Sequence, residues 1–205
     1  MRILLLVTAA VMLLGVLPAN VKAIDPTVVD FDDLERDQGR EIILSGTNYA
    51  GLNWEWGDNV GPYQGQWRIP PEGIDIYPYS EPHAVTGGYG ASLMGIGFGE
   101  PVNVLGAYFA GAINSTFWTP CVRAHGYLDD VEVAITDWFE DINETPDWFA
   151  MNLNNVDRIV IESVLHPRVG LDPISYYSMD NLTYVPEPGT IALLALGAIF
   201  FRRRK

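Results

Sequence analysis

The stretch Leu93-Met-Gly-Ile-Gly-Phe-Gly-Glu-Pro-Val-Asn-Val-Leu-Gly-Ala-Tyr-Phe109 decides the fold class of this 205-residue chain. It contains two short apolar runs, 93–98 and 102–109, in which apolar residues alternate with glycine or polar residues over several positions. A period of two is typical of a β-strand, whereas a helix repeats every 3.6 residues. The Gly-x-Gly-x-Gly pattern of the first run is not a dinucleotide-binding loop, because no strand–loop–helix unit follows it. We therefore predict a glycine-rich strand in which Ile96 and Phe98 share one face.

Similar runs recur through residues 24–185, separated by clusters of glycine, proline, asparagine and aspartate. They lie at 28–34, 41–47, 116–123, 131–136, 148–153, 158–164 and 176–185. Many short strands with turn residues between them are typical of sandwiches and barrels. A body of about 162 residues can bury the core of one domain. We predict an all-β fold with a single β-sandwich of the jelly-roll type over residues 24–185.

The C-terminus combines a proline-rich motif, an apolar run and a basic end. Pro186, Glu187 and Pro188 precede the apolar run 189–201, and the chain closes with four cations. These are Arg202, Arg203, Arg204 and Lys205. As a helix the apolar run would be about 20 Å long, against a hydrocarbon core of about 30 Å, which makes it a poor permanent anchor. The cations would stay on the cytoplasmic side of the membrane.

This order of features resembles the PEP-CTERM sorting signal of Gram-negative, exopolysaccharide-producing bacteria. In that family an exosortase is thought to cut at or near the Pro-Glu-Pro motif and to release the protein or transfer it to the cell surface. The resemblance implies that residues 186–205 form a sorting signal with a short transmembrane, hydrophobic helix. It also implies an exosortase as processing partner and a transient stay in the inner membrane.

The N-terminus has the features of a secretory signal peptide. Arg2 precedes an apolar stretch, 3–17, and Pro18 ends it. Val21, Lys22 and Ala23 are small or medium-sized residues at the positions that signal peptidase reads. We therefore predict a signal peptide with a signal helix over residues 1–23, cleaved after Ala23. The alternatives are cleavage after Ala19 and a retained first helix. The expected route is general secretion, ending at the cell surface or in the extracellular matrix.

The composition of the body is strongly acidic. Six of the 12 basic residues and one of the 26 acidic residues lie in the terminal segments, which leaves six arginines, 25 acids and a net charge of about −19. This charge disfavours nucleic acids and anionic membrane surfaces as partners. The single Cys121 cannot form an intrachain disulfide, and we predict that it is a small buried residue.

The first and last strand-like runs of the body share a pattern. Phe31-Asp-Asp-Leu34 opens the body and Met179-Asp-Asn-Leu182 closes it. With the runs between them, they look like many PEP-CTERM surface proteins and, more loosely, like the jelly rolls of carbohydrate-binding modules. That resemblance implies neighbouring first and last strands. Four oxygen-bearing side chains could then form a structural calcium site: Asp32, Asp33, Asp180 and Asn181. The alternative is that they are solvated acids and turn formers.

Aromatic residues are concentrated in a glycine-rich region. Trp54, Trp56, Tyr63 and Trp67 occur together with amide and acid side chains. Indole faces stack on sugar rings while polar groups bond hydroxyls, so the set could bind a neutral exopolysaccharide. The alternative is that one of Trp54 and Trp56 lies in the core and that Trp67 covers an end of the sandwich.

Catalytic motifs have little support in this sequence. His83, His125 and His166 lack zinc-ligand spacing, and no Gly-x-Ser-x-Gly elbow occurs. We predict a non-enzymatic, secreted cell-surface or exopolysaccharide-matrix protein with a structural or adhesive role. The alternatives are a calcium-supported carbohydrate-binding module and a matrix glycoside hydrolase, which would need two convergent acids, one with a raised pKa.

Overall fold

The computed structural model describes residues 24–35, 40–60, 63–113, 115–164 and 175–187. The predicted signal helix and most of the predicted sorting signal, with its hydrophobic helix, lie outside these ranges. Within them, no helix is both long enough and apolar enough to span a bilayer.

The described residues form sixteen strands and one 3₁₀ turn at Ser115–Phe117. The strands are β1 (Thr27–Val29), β2 (Ile42–Ile43), β3 (Asn48–Tyr49), β4 (Leu52–Trp54), β5 (Asn59–Val60), β6 (Tyr63–Gln64), β7 (Gln66–Ile69), β8 (Asp75–Ile76), β9 (Val85–Gly88), β10 (Leu93–Ala110), β11 (Ala112–Ile113), β12 (Cys121–Leu128), β13 (Val131–Ile135), β14 (Phe139–Glu140), β15 (Asp147–Ser163) and β16 (Ser178–Pro186). The all-β prediction is confirmed.

One antiparallel sheet contains twelve of these strands. Its main path runs β13-β12-β15-β10-β16-β9-β7-β2. Four strands lie off this path: β1 pairs with β16, β14 with β12, β4 with β10, and β3 with β4. The remaining strands form the small pairs β11-β8 and β5-β6. A single contiguous core packs against this sheet, an arrangement compatible with a β-sandwich.

The two longest strands, β10 and β15, form the centre of the sheet. Their register runs from Leu93 opposite Glu162 to Phe109 opposite Asp147, with shifts near the middle of β10. Each strand joins two runs that the sequence separates. In β15, Asn152 and Asn155 adopt positive φ, a conformation that asparagine tolerates better than most residues. The strand therefore bends and continues where the pattern predicts a break.

The first and last strands are hydrogen-bonded neighbours, as predicted. Val29 lies opposite Leu182 and Thr27 opposite Tyr184. β16 also pairs with β10, so the chain closes against the centre of its own sheet.

Large aromatic side chains form much of the core. Trp54 and Trp67 are fully buried and meet edge to face with ring centroids 5.6 Å apart, and Phe31 packs on Trp54 at 5.5 Å. Both indole N–H groups are satisfied, because Trp54 donates to the Tyr49 carbonyl and Trp67 donates to the Gly95 carbonyl. Burying an indole without such an acceptor would be costly.

Candidate functional site

The predicted aromatic set is divided between the core and the surface. Trp54 and Trp67 are 0 % exposed, so the prediction that they stack on a sugar is wrong. The chain uses their large apolar area to build the core instead. Trp56 and Tyr63 remain accessible, at 46 % and 56 % exposure.

The two exposed members occupy different surroundings. Tyr63 stacks on Tyr89 with ring centroids 4.9 Å apart. Trp56 follows the end of β4 and lines a groove on the outer face of the large sheet. Its indole passes beside Gly46, where a β-carbon would touch the ring nitrogen.

The groove that Trp56 borders has a volume of about 570 Å³ and a polar floor. Its walls come from the segment after β4 and from three adjacent strands. The lining residues are Trp56, Gly57 and Asp58; Leu93 and Gly95 of β10; Arg123, His125 and Tyr127 of β12; and Arg158, Val160 and Glu162 of β15.

Strand alternation explains why polar side chains collect here. Arg123 lies opposite Glu162, and Tyr127 lies opposite Arg158. Because successive residues point to opposite faces, these side chains share the outer face while the residues between them enter the core. The intervening residues Val122, Ala124, Ile159 and Ile161 are fully buried.

One end of the floor is fixed by an ion pair between Arg158 and Glu55. The guanidinium donates from Nε and Nη2 to both carboxylate oxygens, at 2.7 to 2.9 Å. It also lies over the Tyr127 ring, 5.0 Å from the centroid. Gly95 leaves room for this pair, since a β-carbon there would overlap the Glu55 carboxylate.

A second network crosses the floor from β12 to β15. Arg123 Nε donates to Glu162 Oε2 at 2.5 Å, and the same oxygen lies 2.7 Å from His125 Nε2. His125 Nδ1 lies 2.8 Å from Glu132 Oε2. An ionised carboxylate only accepts hydrogen bonds, so a ring nitrogen that contacts one is the donor.

The electrostatics of Glu162 follow from these partners. Burial by itself would raise the pKa of this carboxyl, but the hydrogen bonds from Arg123 and His125 outweigh burial and hold the pKa below its ordinary value. Glu162 is therefore ionised at neutral pH and acts as an acceptor within the network.

The groove is close to charge balance although the body is strongly acidic. Arg158 pairs with Glu55 and Arg123 pairs with Glu162. Asp58 accepts hydrogen bonds from the Ser92 hydroxyl at 2.6 Å and the Leu93 amide at 3.0 Å. Paired, oriented polar groups beside an exposed indole suit an uncharged ligand rich in hydroxyl groups.

Of the residues that line this groove, only Trp56 is predicted from the sequence as a binding residue. His125 stands alone in sequence, and its partners Glu132 and Glu162 are 7 and 37 residues away. The available signal was the alternation of polar residues along β12, which places Arg123, His125 and Tyr127 on one face.

The predicted calcium residues do not converge. Asp180 is buried and accepts hydrogen bonds from the Tyr79 and Ser80 amides at 2.9 and 2.8 Å. Asp33 instead accepts a hydrogen bond from the Tyr49 hydroxyl. In the part of the chain that the structure describes, no group of three or more acidic, histidine or cysteine side chains could hold a metal ion. The prediction that Asp32, Asp33, Asp180 and Asn181 assemble into one site is wrong, although the strand pairing behind it is correct.

Cys121 is only half-buried, which differs from the predicted buried residue. Burial and then the nearby Glu140 carboxylate raise the pKa of its thiol. A raised pKa keeps the thiol protonated and poorly nucleophilic at neutral pH.

The first residues of the predicted sorting motif belong to the sheet. Pro186 closes β16 opposite Val102, and the Glu187 amide donates to the Pro101 carbonyl at 3.3 Å. Pro188 and the four C-terminal cations predicted to stop transfer lie outside the described residues.

Comparison with known proteins confirms the sorting motif. Residues 185–205 match the family model described as the PEP-CTERM protein-sorting motif. The motif marks a secreted surface protein that an exosortase processes after transient association with the membrane. Neither a curated protein nor a solved structure matches the chain.

Proposed function

We propose that the sorted domain is a non-enzymatic component of the cell surface or exopolysaccharide matrix that adheres to neutral polysaccharide through the Trp56 groove. The observation that carries this proposal is the combination of an exposed indole with an oriented polar floor. Trp56 supplies an apolar face. Arg158, which Glu55 holds in place, and the Arg123–Glu162 pair supply fixed hydrogen-bonding groups beside it.

The chemistry of a sugar chain matches this combination. Pyranose rings have apolar C–H faces that pack on indole, and their hydroxyls both donate and accept hydrogen bonds. Guanidinium groups donate and carboxylates accept, so paired Arg and Glu side chains serve both roles of a hydroxyl. Because each pair is already formed, these side chains lose little further conformational entropy when a ligand binds.

The charge of the domain favours a neutral polymer over an acidic one. A body of about −19 repels polyanions, and the two groove arginines are neutralised by Glu55 and Glu162. An acidic polysaccharide would meet no free cation in the groove as the structure describes it.

Support for a hydrolytic role is weaker. A retaining or inverting glycosidase needs a carboxylic acid that stays protonated near neutral pH. The Glu162 pKa is lowered, which is the wrong direction for a general acid. Asp180 has a pKa raised to about 6, but it is 2 % exposed, accepts hydrogen bonds from the Tyr79 and Ser80 amides and does not line the groove. We therefore expect no release of reducing ends from a polymer that the domain binds.

Migration in native gels containing polysaccharide tests the proposal. The secreted, processed protein is run through gels with a panel of neutral and acidic polymers at physiological ionic strength. We expect retardation by at least one neutral polymer and none by the acidic ones. A second set of gels contains a chelator. Retardation that disappears with the chelator would favour the alternative of a calcium-supported carbohydrate-binding module. Absence of retardation by every neutral polymer would contradict the proposal.

A further inference from the structure

The last strand of the domain continues into the sorting motif. β16 runs from Ser178 to Pro186, and its final pairs on β10 are Val185 with Asn103 and Pro186 with Val102. One residue further, the Glu187 amide donates to the Pro101 carbonyl. Pro186 is therefore the last residue of the sheet, and Glu187 is hydrogen-bonded to its edge.

Side-chain packing holds this end of β16 in place. Tyr184 meets Phe98 edge to face with ring centroids 5.2 Å apart. Pro186 and Val102 line the same groove of about 310 Å³ as these two rings. Pro186 and Glu187 are only partly exposed, unlike a free linker.

A peptidase needs its substrate chain free of other backbone pairing around the bond that it cuts. Cleavage inside folded proteins accordingly occurs at exposed, unpaired segments or after local opening. The backbone at 185–187 is engaged on β10, so bonds within it are accessible only when the end of β16 opens.

We propose that the folded domain sets the upstream limit of exosortase cleavage, so that the mature chain retains Pro186 and Glu187. The cut falls at a peptide bond that follows Glu187. There the C–N bond breaks, the acyl carbon bonds to water or to an acceptor nucleophile, and the nucleophile's proton goes to the leaving amine. This inference rests on β16 and is independent of the polysaccharide groove.

The C-terminal residue of the mature protein tests this limit. The full chain is expressed in a host that contains an exosortase, and the released protein is analysed by intact mass and C-terminal peptide sequencing. We expect a last residue at Glu187 or beyond. A mature chain that ends at Val185 or Pro186 would overturn the inference.

A pair of insertions tests whether docking on β10 is the cause. Gly-Ser-Gly-Ser inserted between Val185 and Pro186 separates the motif from the sheet but leaves the β1–β16 pairing of 27–29 intact. With the motif undocked, we expect some mature chains to end upstream of Glu187, at Val185, at Pro186 or within the inserted residues. The same four residues inserted after Gly189 lengthen the path to the membrane without undocking the motif, and we expect every mature chain to keep Glu187. Upstream ends from both insertions, or from neither, would overturn the inference.

Discussion

Arg158 and Glu55 form a bidentate ion pair although they are 103 residues apart in sequence. The pair joins β15 to the segment after β4, and Gly95 of β10 lies beneath it. Three separate parts of the chain therefore meet at one contact, which fixes the end of the groove next to Trp56.

We expect removal of either partner of this pair to destabilise the fold. Glu55→Ala leaves a half-buried guanidinium without its acceptors, at a cost of about 1 to 3 kcal/mol in free energy of unfolding. Arg158→Met should cost at least as much, because the Glu55 carboxylate that remains is the more buried partner, at 24 % exposure against 32 % for Arg158. Denaturant unfolding of both single variants and the double variant gives the coupling energy. A coupling near zero would show that the pair contributes nothing to the fold.

Gly95→Ala should disrupt the groove through sterics. The new β-carbon would overlap the Glu55 carboxylate, and the displaced side chain would release Arg158. We expect a loss of about 1 to 3 kcal/mol in stability, typical of overpacking. Gly99→Ala is the matched control on the same strand, since a β-carbon there meets no atom within 4 Å. Equal effects of the two variants on unfolding would contradict this account.

The buried Asp180 should make stability depend on pH between about 4 and 6. Burial outweighs the hydrogen bonds from Ser80, Asn181 and Tyr79 and raises the pKa of Asp180 to about 6. A raised carboxyl pKa means that the folded state holds a proton that the unfolded state has lost. Its stabilising contribution is therefore complete below about pH 4 and is lost as pH rises through 6, with a size on the order of 2 to 3 kcal/mol.

Unfolding measured at several pH values checks this effect. Asp180→Asn should flatten the fall in stability over this interval, whatever its effect on the absolute value. If the variant keeps the slope of the natural chain, a different group is responsible.

Glu162 should make the fold less stable as pH falls, which is opposite in direction to the effect of Asp180. Its pKa is held below the ordinary value, so its contribution is present above about pH 4 and is lost as pH falls through the lowered pKa. Glu162→Gln should make the domain less sensitive to acid in that range. Thermal unfolding from pH 5 down to pH 2.5 measures the difference, and unchanged acid sensitivity would contradict the network with Arg123 and His125.

The sequence predicts the long strands because their signal is local, whereas the short strands β3 to β9, β11 and β14 lie outside the predicted runs. Alternation along 93–98 and 102–109 reflects a pleated strand with one buried face, and the sorting motif is likewise a local pattern. The positive-φ asparagines at 152 and 155 explain why one long strand looks like two.

The groove could not be predicted in the same way. Trp54 and Trp56 are two residues apart, so in a continuous strand both side chains would lie on the same face. β4 ends at Trp54, however, and Trp56 lies on the surface.

The polar floor of the groove depends on which strands are neighbours. Arg123, Glu162 and Leu93 align only because β12, β15 and β10 are adjacent, and that order is a property of the whole sheet.

The dissociation constant of the Trp56→Ala variant tests the central claim most directly. The polymer is the neutral polysaccharide that retards the natural protein, and Tyr63→Ala is the matched control because Tyr63 is also an exposed aromatic residue outside the groove lining. We expect Trp56→Ala to weaken binding about tenfold or more, as for a stacking anchor, while Tyr63→Ala changes it less than twofold. Unchanged affinity in the Trp56 variant, with its fold intact, would contradict binding in this groove.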